Sequence, residues 1–160
     1  MRLGIISDTH GHVEHTRPAV RMFESLDVDV VLHCGDIGSI AVVEMFAAWP
    51  THFVFGNCDS DAKSFGAAIE KLGQMCHGLF GDLELEGVRI ALLHSHEERR
   101  FRQTVNSGDY GLVCYGHTHV AAIDRRAGTL VLNPGAIYRA NPHSVAVVEL
   151  PSLEATIIEL

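Results

Sequence analysis

The sequence predicts an α/β fold, and three observations indicate it. Residues 1–60 alternate short apolar runs with stretches of helical spacing. A polar cluster follows each of these apolar runs. Several more short apolar runs, separated by turns, occupy the second half of the chain. Strand–helix alternation is typical of a parallel sheet covered by helices, whereas closely spaced strands favour an antiparallel or mixed sheet.

Three buried strands and two helices are predicted in residues 1–55. The strands are apolar and rich in β-branched residues, and a proline ends the second helix. In chain order the elements are strand Arg2–Ser7, helix Val13–Leu26, strand Val28–His33, helix Ile40–Trp49 and strand His52–Phe55. Each strand is therefore expected to deliver a polar loop at its carboxyl end.

The second half is predicted to contain two helices and seven short strands. Helical spacing indicates Asp61–Leu72 and the charged surface helix Glu97–Ser107. A Glu-Gly turn joins a predicted hairpin. The strands are Leu83–Glu86, Arg89–Leu93, Leu112–Tyr115, Val120–Asp124, Thr129–Leu132, Val145–Leu150 and Ala155–Leu160.

Length and composition limit the classes of protein that fit. The 160 residues suit one domain spanning 1–160, with 47% hydrophobic and 20% charged residues. A net charge of −8 argues against non-specific binding to nucleic acid. No apolar run reaches the roughly 18–20 residues of a membrane span. Scattered cysteines and the lack of a signal-peptide pattern predict a cytoplasmic protein with free thiols.

Seven side chains that can bind metal lie in five short clusters, each at the end of an apolar run. Ligands of open α/β sheets bind outside the carboxyl ends of the strands, so we expect the clusters to converge on one rim. The seven residues are Asp8, His10, Asp36, Asn57, His94, His117 and His119.

The donor types in these clusters predict two divalent ions that act on a phosphate ester. Side chains two residues apart in an extended segment share one side, so Asp8 and His10 can reach one ion. Carboxylate, imidazole and amide donors suit Mn²⁺ as first choice, with Fe, Zn, Ni, Co or Mg as alternatives, better than Ca²⁺. Two such ions can ionise a water at about neutral pH and attract a small phosphate-ester substrate.

The five clusters, in this order, resemble the calcineurin-like metallophosphoesterase superfamily. The motifs are Asp8-x-His10, Gly35-Asp36, Gly56-Asn57-x-Asp59, His94-x-His96 and Gly116-His117-x-His119. The short chain, Asn57-Cys58-Asp59 and Asn133-Pro134-Gly135 are similar to its small bacterial and archaeal phosphodiesterases. The resemblance implies two mixed β-sheets packed as a sandwich and flanked by helices, in four layers.

The resemblance also implies a division of roles within the site. One ion would be held by Asp8, His10, Asp36 and His119, and the other by Asp36, Asn57, His94 and His117. Asp36 would bridge the two ions, and a hydroxide between them would attack the phosphorus in line. Catalytic roles are expected at Asp36, Asn57, Cys58, His94 and His96.

Three positions depart from the family pattern. Many members carry a proton-donating histidine where this chain has Cys58, and a thiol with a pKa of about 8.5 is a poorer acid. We therefore expect a preference for esters with good leaving groups, such as aryl diesters, unless His96 or His12 supplies the proton. Ser95 replaces a usual glycine, and Ala136 stands where a serine is common.

Some interpretations stay open at the level of sequence. Asp59 could support the site or cap the helix that follows, and Asn133-Pro134-Gly135 could be a plain turn or line the site. Arg139 could contact a phosphate or be a solvated loop residue. The main alternative function is a binding scaffold resembling the retromer scaffold subunit. A repair-type nuclease and a dinucleotide-binding protein fit less well, because the chain lacks a basic stripe and a GxGxxG motif.

Overall fold

The computed structural model describes residues 1–160 as two β-sheets and four helices. The first sheet has six strands in the order β11-β10-β1-β2-β3-β4. Strands β1 to β4 run parallel to one another, and β10 and β11 add two antiparallel pairings. The strands of this sheet are β1 Arg2–Ile6, β2 Val30–His33, β3 Thr51–Phe53, β4 Met75–Cys76, β10 Ser144–Glu149 and β11 Glu154–Glu159.

The second sheet has five strands in the order β5-β6-β7-β9-β8. Its three central strands are parallel, and the hairpin partners at both edges are antiparallel. The strands are β5 Phe80–Leu85, β6 Val88–Leu93, β7 Leu112–Cys114, β8 Ala122–Arg126 and β9 Thr129–Asn133. The expectation of two mixed sheets is therefore confirmed.

Four helices cover the outer faces of the sheets, and none of them is long and apolar enough to cross a membrane. Their bounds are α1 Val13–Ser25, α2 Ile40–Glu44, α3 Ala62–Lys71 and α4 Glu98–Asn106. Helix α3 begins at the cap Asp61, whose carboxylate accepts the Ser64 N–H at 3.2 Å. Such a cap satisfies one of the free N–H groups of the first turn.

The alternation of side chains along each strand builds two separate cores. In β1, Leu3 and Ile5 belong to the cluster between the sheets, whereas Ile6 belongs to the cluster beneath helices α1 to α3. A third and smaller cluster joins the outer face of the second sheet to Val105 of α4. Because inner and outer faces are both buried, these strands read as continuous apolar runs.

The structure corrects several predicted bounds. It also places the last two strands in the first sheet, where β10 lies antiparallel beside β1, a pairing that the sequence pattern had not specified. The helix predicted over Ile40–Trp49 ends at Glu44, and turns follow it. Strand β4 was not predicted, since two residues carry too little pattern. Strand β8 begins two residues later than expected.

Candidate metal centre

Side chains from four loops meet where the parallel strands of both sheets end. Asp8 follows β1, Asp36 follows β2, His94 follows β6 and His119 follows β7. The His119 Nε2 atom lies 3.1 Å from Asp8 Oδ1, and the His94 Nε2 atom lies 3.2 Å from Asp36 Oδ2. Residues that are far apart in sequence are thus adjacent in space, as the strand-end rule predicts.

His94 shows most directly what this cluster can bind. Its Nδ1 atom lies 2.8 Å from the Cys34 carbonyl oxygen, so Nδ1 carries the hydrogen and donates it. In the neutral ring the lone pair is then on Nε2, which faces Asp36 Oδ2 at 3.2 Å and Asp8 Oδ1 at 3.8 Å. A lone pair aimed at two carboxylates is stabilised only when a positive charge lies among them.

His119 and His10 are oriented toward the same carboxylates. The Nδ1 atom of His119 lies 3.5 Å from the Arg139 carbonyl oxygen, which turns Nε2 toward Asp8. His10 lies between the two acids, with Nε2 3.5 Å from Asp36 Oδ2 and 3.7 Å from Asp8 Oδ1. The ring centroids of His10 and His119 are 5.5 Å apart.

Three atoms of the cluster are buried and have no hydrogen-bond partner: Asp8 Oδ1, His10 Nε2 and His94 Nε2. A buried polar atom without a partner costs about 1–3 kcal/mol, and more when it is charged. Three such atoms facing one space match what divalent cations would satisfy. Two groups of possible ligands centre on these atoms: Asp8 with His10 and His119, and Asp8 with Asp36 and His94. The donors present therefore fit divalent metal ions.

The pKa shifts within the cluster indicate that a positive charge is favourable beside the two acids. Burial raises the pKa of Asp36, but the adjacent His94 ring and the hydrogen bond from the Cys58 N–H outweigh it, so the pKa is lowered. Burial lowers the pKa of His10. Burial also lowers the pKa of His94, yet the neighbouring acids Asp36 and Asp8 raise it overall, which shows a strong demand for positive charge there. A cation meets that demand, with the histidines neutral and the acids ionised.

Backbone strain is concentrated at the same residues. Left-handed φ angles are uncommon outside glycine, and several of them at one place point to a functional site. Five of the seven predicted metal-binding residues adopt such angles: Asp8 (55°), His10 (45°), Asp36 (53°), His117 (76°) and His119 (59°).

Two glycines make room for the acids. A Cβ atom on Gly56 would lie 2.0 Å from Asp36 Oδ1, and one on Gly116 would lie 2.0 Å from Ser7 Oγ and 2.8 Å from Asp8 Oδ2. Both positions therefore require glycine, because real Cβ atoms do not approach other atoms so closely. Ser7 itself donates to Asp8 Oδ2 at 2.5 Å.

Asp59 supports the site rather than the helix that follows it. Its carboxylate accepts three backbone N–H groups, from Ile37 at 3.2 Å, Gly38 at 3.0 Å and Gly56 at 2.9 Å. It thereby ties the Asp36 loop to the Asn57 loop. The cap of α3 is Asp61, so the alternative role for Asp59 is excluded.

Asn133 holds the loop that carries His117 and His119. Its Nδ2 donates to the Gly116 carbonyl at 3.3 Å and to Thr118 Oγ1 at 3.0 Å, and its Oδ1 accepts the Gly135 N–H at 2.9 Å. The Asn-Pro-Gly segment is therefore more than a plain turn. Sequence reasoning missed these bonds and that of Ser7, because side-chain hydrogen bonds leave no periodic signal in the sequence.

The other predicted residues lie at the rim of the cluster. Asn57 and Cys58 are exposed, and no hydrogen bond joins the Asn57 or His117 side chain to either acid. The Cys58 N–H donates to Asp36 Oδ1 at 2.8 Å, and its thiol lies within ligand range of His10 and Asp36. The rings of His117 and His96 are centred 5.2 and 5.6 Å from that of His94.

The candidate proton donors have unfavourable pKa values. Burial, followed by a hydrogen bond with Asp36, raises the pKa of the Cys58 thiol. Burial and the proximity of His94 lower the pKa of His96, so its ring is neutral near pH 7. At neutral pH the Cys58 thiol holds its proton tightly and the His96 ring has no acidic proton to give, so both are poor proton donors to a leaving oxygen.

Comparison with known proteins gives consistent results for family and fold. The model of the calcineurin-like phosphoesterase superfamily domain matches residues 1–152. Phosphodiesterase MJ0936 of Methanocaldococcus jannaschii is 29% identical over 140 residues, which cover 84% of this chain and 83% of that protein. The probable metallophosphoesterase YsnB of Bacillus subtilis is 32% identical over 142 residues, covering 86% of this chain and 75% of that protein.

Solved structures extend the comparison to the fold. A novel archaeal phosphodiesterase superposes with a TM-score of 0.92 at 27% identity, with complete coverage of both chains. Vps29 of Entamoeba histolytica complexed with Zn²⁺ has a TM-score of 0.70 at 20% identity, covering 99% of this chain and 91% of that one. The second likeness is one of fold alone.

Proposed function

The chain belongs to the calcineurin-like phosphoesterase superfamily, and from this premise we propose that it is a phosphodiesterase that works with two divalent metal ions. The family predicted from the motifs is confirmed, and phosphoesterase chemistry is the activity of that family. The observation that carries the finer proposal is the set of three buried and unpartnered atoms facing one space, Asp8 Oδ1, His10 Nε2 and His94 Nε2.

The proposal assigns the side chains to two ions that share Asp36. One ion would be held by Asp8, His10, Asp36 and His119, and the other by Asp36, Asn57, His94 and His117. The two shortest contacts support this division, since His119 lies closest to Asp8 at 3.1 Å and His94 to Asp36 at 3.2 Å. The Asn57 and His117 side chains would complete the second set from the rim.

When bound, the ions would supply a water that ionises at about neutral pH and a positive anchor for the phosphoryl oxygens. The chain itself contributes orientation. The Cys34 carbonyl fixes the tautomer of His94, and the Cys58 N–H fixes Asp36 Oδ1, which leaves Oδ2 toward the histidines. Such outer hydrogen bonds hold ligands in position and increase metal affinity by about 10–100-fold.

The expected substrate is a small diester with a good leaving group. Cys58 and His96 are the nearest candidates to protonate a leaving oxygen, and both have pKa values that suit this role poorly. A leaving group that departs as a stable anion needs no such proton. Duplex nucleic acid is a poor candidate substrate, because the chain carries a net charge of −8.

The test combines metal content with turnover. We expect protein stripped by chelator and reloaded with Mn²⁺ to hold two ions per chain and to hydrolyse bis(4-nitrophenyl) phosphate. His94→Ala should lower metal content and reduce turnover by roughly 10²–10³-fold. His52→Gln is the matched control, because His52 is a half-buried histidine that bonds to His77 instead of facing the acids.

Two results would contradict the proposal. One is turnover that persists after the ions have been removed and shown to be absent by elemental analysis. The other is a His94→Ala protein that keeps the metal content and the rate of the control.

A binding scaffold of the Vps29 kind is the second candidate function, favoured only by the shared fold. It predicts no turnover, and metal content alone does not exclude it, because one Vps29 structure is a complex with Zn²⁺. The completeness of the seven predicted metal-binding residues, together with the unpartnered atoms, argues for the enzyme.

Further parts of the proposal follow from the sequence. We propose a single domain over residues 1–160, a cytoplasmic location, Mn²⁺ as the first ion to test and a small phosphate ester as the substrate. Fractionation of the native cells, together with a screen of diesters, monoesters and cyclic nucleotides across several metals, would test the location and the substrate.

A further inference from the structure

A groove of about 280 Å³ opens directly beside the candidate metal centre, and His119 forms part of both. One wall is the segment from His119 to Ala121, and the other is the loop Ala140–Pro142. Ile157 and Glu159 of β11 close its far side. We call this the His119 groove. His119 links the groove to the centre, because it lines the groove and its Nε2 faces Asp8 Oδ1 at 3.1 Å.

The lining of the groove offers few side chains that bind ions, and its polar residues are His119, Asn141, Ser144 and Glu159. Ser144 lines it, but its hydroxyl already donates to the Pro134 carbonyl at 2.7 Å. Apart from His119, the one charged residue in the lining is Glu159, and no lysine or arginine belongs to it. Val120, at 64% exposure, is the most exposed large apolar residue of the chain and forms the lip. An exposed apolar side chain beside a pocket favours an apolar occupant.

The other aromatic surface near the centre is less available. Tyr138 lies 5.5 Å from the His10 ring, but His12 stacks on it at 3.9 Å between centroids. The Arg139 guanidinium lies 5.2 Å from the same ring. Since its neighbours already cover Tyr138, a substrate ring finds its free apolar contact in the His119 groove.

We propose that the His119 groove is the subsite for the organic group of the phosphate ester, and that it favours an uncharged apolar group such as an aromatic ring. At about 280 Å³ the groove has room for such a ring, since a cavity of about 150 Å³ already holds benzene. Glu159 repels a second anionic group on that ring. This inference rests on the proposed function, because it requires a phosphoryl group at the metal centre.

Non-hydrolysable phosphonates test the inference without a leaving group. Each carries one organic group, so binding to the Mn²⁺-loaded protein, measured by calorimetry, reports where that group lies. We expect phenylphosphonate to bind about tenfold more tightly than methylphosphonate, since the ring buries apolar surface. A 4-carboxyl substituent on the ring should weaken binding about three- to fivefold, the usual range for one exposed charge pair.

Variants at the groove should change these ratios. Ala121→Phe fills the groove from an exposed position and should remove the advantage of phenyl over methyl. In Glu159→Lys, the 4-carboxyl derivative should bind more tightly than phenylphosphonate itself. Glu154→Lys is the matched control, because Glu154 lies on the same strand but lines a different cavity, and its ratios should equal those of the unaltered protein.

The outcomes separate this inference from the proposed function. If no phosphonate binds the loaded protein, the proposed function fails, and this inference fails with it. If phosphonates bind but phenyl and methyl bind equally, or if Ala121→Phe preserves the phenyl advantage, the subsite is wrong while the metal centre stands. A carboxyl penalty that Glu159→Lys and Glu154→Lys change equally would overturn the role of Glu159.

Discussion

His33 and His94 are both fully buried, yet they differ in what their ring nitrogens contact. His33 is satisfied on both sides: its Nδ1 accepts the Gly35 N–H at 3.2 Å, and its Nε2 lies 3.0 Å from Thr9 Oγ1. His94 has a hydrogen-bond partner for Nδ1 only, and its Nε2 faces two acids. Burial alone therefore does not identify a metal-binding histidine. The hydrogen-bond partners of the second ring nitrogen identify such a histidine.

The comparison extends to the pair formed by His52 and His77. Their nitrogens lie 2.9 Å apart, so each ring satisfies the other. Burial lowers the pKa of His52 to about 4, and a neutral histidine bonded to another histidine needs no cation. The chain thus contains two kinds of buried histidine. In one kind the ring is satisfied by hydrogen bonds to its neighbours. In the other, at the candidate centre, one buried ring nitrogen has no hydrogen-bond partner, and we call such a histidine incomplete.

The largest expected effect comes from the acid that faces the incomplete histidines. In Asp8→Asn, the amide oxygen can keep the bonds from Ser7 and His117, while an NH₂ group replaces the unpartnered Oδ1. We expect the turnover of bis(4-nitrophenyl) phosphate to fall by roughly 10³-fold, because charge stabilisation at the reacting phosphate is lost. Steady-state kinetics and elemental analysis check this.

The control for this variant is Asp109→Asn, an exposed acid outside the cluster, which should behave as the unaltered protein does. If Asp8→Asn keeps full metal content and full turnover, the unpartnered ring nitrogens of the incomplete histidines do not indicate a metal site.

A second prediction concerns pH and the satisfied histidine. Burial lowers the pKa of His33 to about 3, so between pH 6.5 and pH 3 the unfolded chain binds a proton there that the folded chain does not. The contribution of His33 to stability is therefore complete above about pH 6.5 and falls with pH. Between pH 7 and pH 5 the metal-free protein should lose about 2 kcal/mol through His33.

Denaturant unfolding of metal-free protein at both pH values measures this loss, with His33→Gln as the comparison. Glutamine does not titrate, so the pH-dependent loss should be smaller by that amount in the variant. Equal losses in the two proteins would show that His33 does not keep its neutral form on folding.

A third prediction concerns a histidine introduced beside the candidate metal centre. Cys58→His places an imidazole beside Asp36, whose Oδ1 accepts the Cys58 N–H at 2.8 Å. A group with a pKa nearer 7 can protonate a poor leaving group, so turnover of an alkyl phosphodiester should rise roughly tenfold. The aryl diester should change less. Cys58→Ser supplies no such acid and serves as the control, and an unchanged alkyl rate in Cys58→His would refute the assigned role.

The smallest predicted effect separates stability from function. In metal-free protein at pH 8, Asp8→Asn should be more stable than the unaltered chain by about 1 kcal/mol. The added NH₂ group can donate to His119 Nε2, and it removes one of two facing negative charges. Chemical unfolding after chelator treatment measures the difference. A less stable variant would mean that Asp8 has a partner other than a cation.

Much of the fold could be predicted from local pattern. Apolar runs and helical spacing placed β1, β2 and β3 and helices α1 and α3 within a few residues of their observed bounds. The placement of β10 beside β1 could not be predicted, because strand pairing over 140 residues is decided by packing and not by local sequence. The early end of α2 likewise could not be predicted. After Glu44 the N–H groups of Phe46 and Trp49 bond three residues back, as in turns, and both side chains are buried in the core.

The sequence by itself determined which chemical groups are present and that each follows a strand, since residue type and strand periodicity are local properties. It thereby determined the family and the class of chemistry. Only the tertiary structure decided that His94 is incomplete while His33 is satisfied, and that Asp59 joins two loops instead of capping a helix. Those distinctions depend on hydrogen bonds between residues distant in the chain, whose geometry exists only once both sheets have packed together.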